Sequence, residues 1–103
     1  MSINQEMPAR ADIVANFLKG LANPHRLLIL CELVNGEKSV TDLINATGIA
    51  QTSMSQHLNK LKDEGILSYR REHRLLFYKI EHPAVIEVMD VLYAHFCAKD
   101  PIS

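Results

Sequence analysis

Apolar positions recur every three or four residues through most of this chain, then switch to a shorter period before returning to helical spacing. Ile13, Val14, Phe17, Leu18 and Leu21 mark one helix over residues 8–22, with Pro8 suited to its first turn. Asn23-Pro24 breaks that helix. A second helix follows from about Pro24 to Val34, with Leu27, Leu28, Leu30, Cys31 and Val34 on a broad apolar face and Asn35-Gly36 as its stop. Ser39 opens a third helix, with Asp42 completing a capping box and Val40, Leu43 and Ile44 facing inward. Gly48 fits the left-handed position that ends it. A fourth helix runs from about Ala50 to Glu64 on an inner face of Met54, Leu58 and Leu61, and Gly65 closes it. Residues 66–69 and 75–80 are rich in β-branched, aromatic and aliphatic side chains and predict a hairpin whose tip is the charged run Arg70–Arg74. Pro83 begins a last helix to about Ala98, apolar on more than one face (Val85, Ile86, Val88, Met89, Leu92, Tyr93, Phe96, Cys97), so it needs cover from two sides. The first helix and a second copy of the chain are the expected covers.

The short third helix, a tight turn at Gly48 and the longer fourth helix make a helix-turn-helix. Its second helix is expected in the major groove, amino-terminal half against base edges. The outward residues there are Gln51, Thr52, Ser53, Ser55 and Gln56, all short or amide side chains able to donate and accept hydrogen bonds. Asn59 and Lys60, a turn further on, suit the phosphate backbone. A polar helix face of this kind is ordinarily only solvated, and the adjoining hairpin is what alters that reading. Arg70, Arg71 and Arg74 are expected beyond the strand pairing, free to reach phosphate or a minor groove. Helix-turn-helix plus basic hairpin is a winged helix, and the combination is more specific than either part.

Composition sets the bounds. A chain of 103 residues with 48% apolar content predicts one winged-helix domain over 1–103: helix-turn-helix about 39–64, wing about 66–80, last helix about 83–98. The longest apolar run, Leu27–Cys31, is too short to span a bilayer, and MSINQEMPAR has no secretory pattern, so a cytoplasmic protein without membrane partners is expected. The formal net charge of −1 hides a division: residues 51–79 carry +3 and the remainder −4. A nearly neutral protein with one basic segment can still meet phosphate there. No phosphate-cradling glycine loop, nucleophile elbow or zinc-protease motif is present, so neither an enzyme nor a bound cofactor is expected.

The segment Leu18–Ile80, through LANPHRLLIL, SMSQHLNKLKDEGIL and RREHRLLFYKI, resembles the ArsR/SmtB family of dimeric winged-helix repressors. The resemblance implies a mainly α fold with a small β-hairpin: four helices, two strands and a fifth helix, with the first and last helices forming a homodimer interface. It implies repression from pseudo-palindromic double-stranded operator DNA, relieved by an inducer. Two departures stand out. Ala50 occupies a position where relatives often carry a serine cap, which weakens the helix start by roughly 1 kcal/mol. His73 stands at the wing tip where relatives often have glycine, leaving the turn type open.

One metal-sensing group in that family carries paired cysteines in a CVCDL-like pattern. Ser39-Val40-Thr41-Asp42-Leu43 stands there instead, with no thiolate. Another binds zinc on the last helix. His82, Asp90 and His95 are the alternative ligands here, but Ala84 and Ala98 fall where imidazole or carboxylate is wanted, and tetrahedral zinc takes four ligands. Cys31, in HRLLILCEL, and Cys97, in YAHFCAK, match the persulfide- and redox-sensing SqrR/BigR/HlyU-like subgroup. That resemblance implies that a reactive sulfur species such as a persulfide attacks one thiol and the other closes a disulfide or polysulfide. The attacking form is the thiolate, so an electropositive setting is expected, with His25 and Arg26 as contributors. Two buried, inert thiols are the plain alternative. A winged helix that binds protein rather than DNA, and a repressor without inducer, also remain open.

Overall fold

A computed structural model describes residues 2–97, and all counts below refer to those residues. The elements in order are α1 (Ile3–Glu6), a 3₁₀ turn (Met7–Ala9), α2 (Ala11–Leu21), α3 (Pro24–Leu33), β1 (Lys38–Ser39), α4 (Val40–Thr47), α5 (Gln51–Asp63), β2 (Leu67–Glu72), β3 (Leu75–Ile80) and α6 (Pro83–Phe96). The helix expected over 8–22 is therefore shorter. Pro8 lies inside the 3₁₀ turn rather than opening α2, and the Arg10 N–H closes that turn on the Met7 carbonyl at 2.8 Å. Ala98, the expected end of the last helix, lies outside the described residues.

Local chemistry accounts for the helix starts. The Asn23 side chain accepts from the N–H groups of His25 (2.9 Å) and Arg26 (3.2 Å), while Pro24, lacking an N–H, takes the first helical position. Ser39 Oγ accepts from the Asp42 N–H at 3.1 Å. This is one half of the expected capping box; the reciprocal bond to the Asp42 side chain is not formed among the described residues. Gly48 has φ +75° and donates to the Ile44 carbonyl at 2.9 Å, a left-handed stop that glycine adopts without steric cost. Ala50 starts α5 with no side-chain cap.

The sheet holds three antiparallel strands in the order β1-β3-β2. β1 was not expected: two residues carry no readable period. It pairs Lys38 with Tyr78 and Ser39 with Phe77. β2 and β3 pair from Leu67–Ile80 out to Glu72–Leu75, so Arg70 and Arg71 lie within the ladder opposite Phe77 and Leu76. The turn is only His73-Arg74. His73 has φ +58° and Arg74 does not share the positive sign, which is the sign pattern of a II′ rather than a I′ turn.

The core is where α3, α4, α5 and α6 meet on Leu30, Leu43, Met54, Leu58, Leu61 and Val85, all fully buried. Each such side chain contributes roughly 1.5–3 kcal/mol of transfer free energy. On α3 the buried residues are Ile29, Leu30 and Leu33. The apolar face expected there is therefore rotated: Leu28 is 48% exposed and Cys31 is at the surface. Outside their core-facing sides, α2 and α6 leave large apolar side chains exposed. Ile13 of α2 is 65% exposed, and Tyr93 and Phe96 of α6 are 61% and 80% exposed. No described helix is long and apolar enough to cross a membrane.

Candidate nucleic-acid interface and thiol site

With 100° per residue, burying Met54, Leu58 and Leu61 turns Thr52, Gln56 and Asn59 directly outward on α5. Gln51 and Ser55 fall on the flank toward the wing. There they share an open hollow of about 470 Å³ with Thr41 and Ile44 of α4 and with Arg74 and Leu75 of the wing. The structure thus brings Gln51, Ser55 and Arg74 together. Thr41 completes that wall and was not anticipated; it is an exposed polar residue of the helix preceding the turn. Ser53 lies on the opposite flank and is half-buried. Beside it, the rings of His57 and His25 meet edge to face, centroids 5.5 Å apart. Burial pushes the His57 pKa down, and the neighbouring Arg26 and His25 push it further. Lys60 is exposed but borders a different cavity, toward α2.

The wing requires a correction. Arg70 is not free beyond the pairing. Its guanidinium holds Glu37 through Nε (3.1 Å) and Nη2 (2.6 Å) and Glu72 through Nη1 (2.9 Å), with its carbon 4.5 Å above the centre of the Phe77 ring. These bonds lower the Glu37 pKa and raise that of Arg70. Alternation in β2 explains the capture, because Arg70 and Glu72 point to one face of the ribbon, above the loop that carries Glu37. Arg71, one residue along, points to the other face. It is exposed and makes no ion pair among the described residues, and the same holds for Arg74 at the turn.

Cys31 and Cys97 are both free and exposed. The Cys31 side of α3 faces α6 across a groove of about 480 Å³ lined by Val34, Asn35, Met89, Asp90 and Tyr93. Cys97 follows immediately after α6, its N–H bonded to the Tyr93 carbonyl at 2.9 Å. Partial burial pushes the Cys31 thiol up, and the negative charges of Cys97 and Glu32 add to that. The electropositive setting expected from His25 and Arg26 is not found. They lie six and five residues before Cys31, roughly 120–140° around the helix, and point toward α5 and α2. Arg26 Nη1 donates instead to the Gly20 carbonyl at 3.2 Å.

Within one protomer, no group of three His, Cys, Asp or Glu side chains is placed to hold a metal among the described residues. His82 caps α6 by accepting the Ala84 N–H at 3.2 Å, Asp90 borders the Cys31 groove, and His95 is exposed in the last turn. The three do not converge.

Comparison with known proteins places this geometry. Residues 23–69 match the family described as bacterial regulatory protein, arsR family. The chain is similar to the biofilm growth-associated repressor of Xylella fastidiosa strain 9a5c, with 40% identity over 96 residues covering 93% of this chain and 84% of that protein. The crystal structure of the transcriptional repressor BigR from Xylella fastidiosa superposes with a TM-score of 0.89 at 39% identity, covering 96% of this chain and all of that one. The homodimeric winged helix-turn-helix DNA-binding domain of Mb0332 from Mycobacterium bovis superposes with a TM-score of 0.74 at 34% identity, covering 87% and 84%.

Proposed function

Since the chain belongs to the arsR family of bacterial regulatory proteins, we propose that it is a homodimeric transcriptional repressor whose grip on operator DNA is released when Cys31 and Cys97 are bridged by reactive sulfur. α5 enters the major groove, with Gln51, Thr52, Ser55 and Gln56 toward base edges and the wing residues Arg71 and Arg74 toward phosphate. Ser53 and Lys60 flank that surface. Arg70 positions the wing through Glu37 and Glu72 rather than meeting DNA. The dimer forms through α2 and α6, whose exposed Leu18, Val91, Tyr93 and Phe96 leave an apolar surface that a second copy covers. The relatives named as repressors and the homodimeric Mb0332 domain support both parts.

The observation that carries the thiol reading is the placement of two exposed thiols, with Cys31 on a groove that reaches Tyr93 of α6 and Cys97 bonded through its N–H to the Tyr93 carbonyl. A persulfide RSSH delivers its outer sulfur to one thiolate, giving a protein persulfide and RSH. The second thiolate attacks the sulfur bound to carbon, closing the disulfide and expelling sulfide. A second equivalent of RSSH before closure gives the trisulfide with a second RSH and the same sulfide. Either bridge ties α3 to the dimer helix and alters the spacing of two α5 helices that must meet half-sites about 34 Å apart.

The test begins by selecting a duplex from a random pool with the reduced protein. Its gel shift is then compared with protein treated with glutathione persulfide, alongside Cys31→Ser and Cys97→Ser. Release in the wild type and retention in both variants is the expected result, with intact mass showing loss of two hydrogen atoms for the disulfide, or that loss together with gain of one sulfur for the trisulfide. Equal release in the variants removes the thiols from the mechanism. Failure to select any duplex removes DNA reading and favours a protein-binding winged helix.

A further inference from the structure

We propose that the open cavity between α2, the start of α3 and the carboxyl-terminal half of α5 binds a small amphipathic carboxylate of the aromatic-acid type. The cavity has a volume of about 500 Å³, which falls within the roughly 300–1,000 Å³ typical of small-molecule sites. Ile13 and Phe17 of α2, with Ile66 after α5, form its apolar wall. Phe17 is already engaged as an aromatic surface, its ring 4.8 Å from that of His82. Around that wall stand three cations, Lys19, Arg26 and Lys60, against the single carboxylate of Glu64. None of these four charged groups makes an ion pair among the described residues. Arg26 is held in place by its bond to the Gly20 carbonyl, yet its Nε is buried with no acceptor.

An apolar wall within a lining of net positive charge selects the ligand chemistry. A metal cation is repelled, a neutral apolar molecule leaves the cations unanswered, and a small inorganic anion leaves the Ile13–Phe17 wall in contact with water. A ring bearing one carboxylate satisfies both features. The cavity does not compete with the proposed dimer face, because Leu18 lies on the far side of α2 from Ile13 and Asn16. Its occupant touches both the dimer helix and the reading helix, so binding couples the two by a route separate from the thiols.

Calorimetric titration of the full-length protein with benzoate, salicylate and indole-3-acetate, with acetate and inorganic phosphate as controls, tests the assignment without DNA. Saturable binding of at least one aromatic acid is expected. It weakens about tenfold in Lys19→Gln/Lys60→Gln, as the loss of two partly exposed charge contacts allows. It tightens several-fold in Glu64→Gln, where repulsion is removed, and is unchanged in Cys31→Ser, which separates it from the thiol reading. Absence of saturable binding by all three acids overturns the proposal. So does equal binding by acetate or phosphate, or affinity that responds to neither the lysine nor the Glu64 substitution.

Discussion

Replacing Ala50 with serine stabilises the protein by about 1 kcal/mol. The reasoning comes from a cap that the same chain already forms. Ser39 precedes α4 with φ −74° and ψ 161° and accepts the Asp42 N–H at 3.1 Å. Ala50 precedes α5 with φ −63° and ψ 152°, within about ten degrees of that geometry, and its carbonyl already accepts the Met54 N–H at 2.8 Å. The backbone is therefore in cap conformation, and only the side-chain acceptor is missing. The N–H groups of Thr52 and Ser53 are among the unpaired donors at the helix start, and a serine hydroxyl at position 50 reaches one of them without strain. Ala50 is exposed, so the added hydroxyl loses little hydration. In a domain of this size 1 kcal/mol raises the melting midpoint by about 4 °C. Urea unfolding followed by circular dichroism, at fixed protein concentration and with unchanged m-value, measures the gain. Ser39→Ala serves as the mirror control and loses a similar amount. A loss in Ser39→Ala with no gain in Ala50→Ser would show that the α5 donors are already satisfied, and the capping argument would fail.

Gly20→Ala tests packing against propensity. A Cβ there meets Glu64 Oε1 at 2.6 Å and Ile66 Cδ1 at 2.8 Å. The glutamate can swing away but Ile66 is buried, so a helix gain of about 1 kcal/mol is outweighed by overpacking of about 1–3 kcal/mol. Net stabilisation in urea would show that Ile66 has room to move. His57 has a depressed pKa in the fold, so the unfolded chain binds its proton more readily. Its contribution is present above the unfolded value of about 6.5 and is lost as pH falls from there toward the folded pKa. Stability therefore declines as pH falls below neutrality, and His57→Gln flattens that slope; an unaltered slope assigns it elsewhere. The raised Cys31 pKa makes its alkylation by iodoacetamide slow at neutral pH and rising through a value above the ordinary thiol range. Cys97→Ser moves that profile to lower pH, and an unmoved profile breaks the link between the two sulfurs.

The parts of this structure readable from sequence are those with a period or a punctuating residue. Met54, Leu58 and Leu61 fix the inner face of α5, Gly48 and Gly65 mark helix ends, and the hairpin lies between two aliphatic runs. Fold class followed from these, with the winged helix-turn-helix architecture matching the superposed relatives. The errors occurred where a long-range partner decides. Arg70 reads as a free wing cation until Glu37, thirty-three residues earlier, is placed beside it by β1, a strand too short to show a period. From Leu27 to Val34 every position but Glu32 is apolar, so periodicity alone does not choose between the Leu27–Cys31 side and the Ile29–Leu33 side. Contact with α4 and β3 chooses the second, and that choice puts Cys31 at the surface.

That rotation also determines how the thiol site and the reading helix are connected. α3 is ten residues long, about 15 Å of helix. Cys31 lies near its carboxyl end facing α6, while His25, at its amino end, packs its ring on His57 of α5. Between these ends, Ile29 and Leu30 are fully buried in the shared core. A close-packed interior resists local deformation, so a pull on Cys31 from the α6 side moves α3 as a body rather than bending it. The movement then reaches α5 at the edge-on contact between the His25 and His57 rings. The wing stands outside this chain of contacts: Arg70, Glu37 and Glu72 anchor it to the sheet. If the proposed bridge forms, its pull on α3 acts on the orientation of α5 within each protomer as well as on α6, while the wing keeps its place on the sheet.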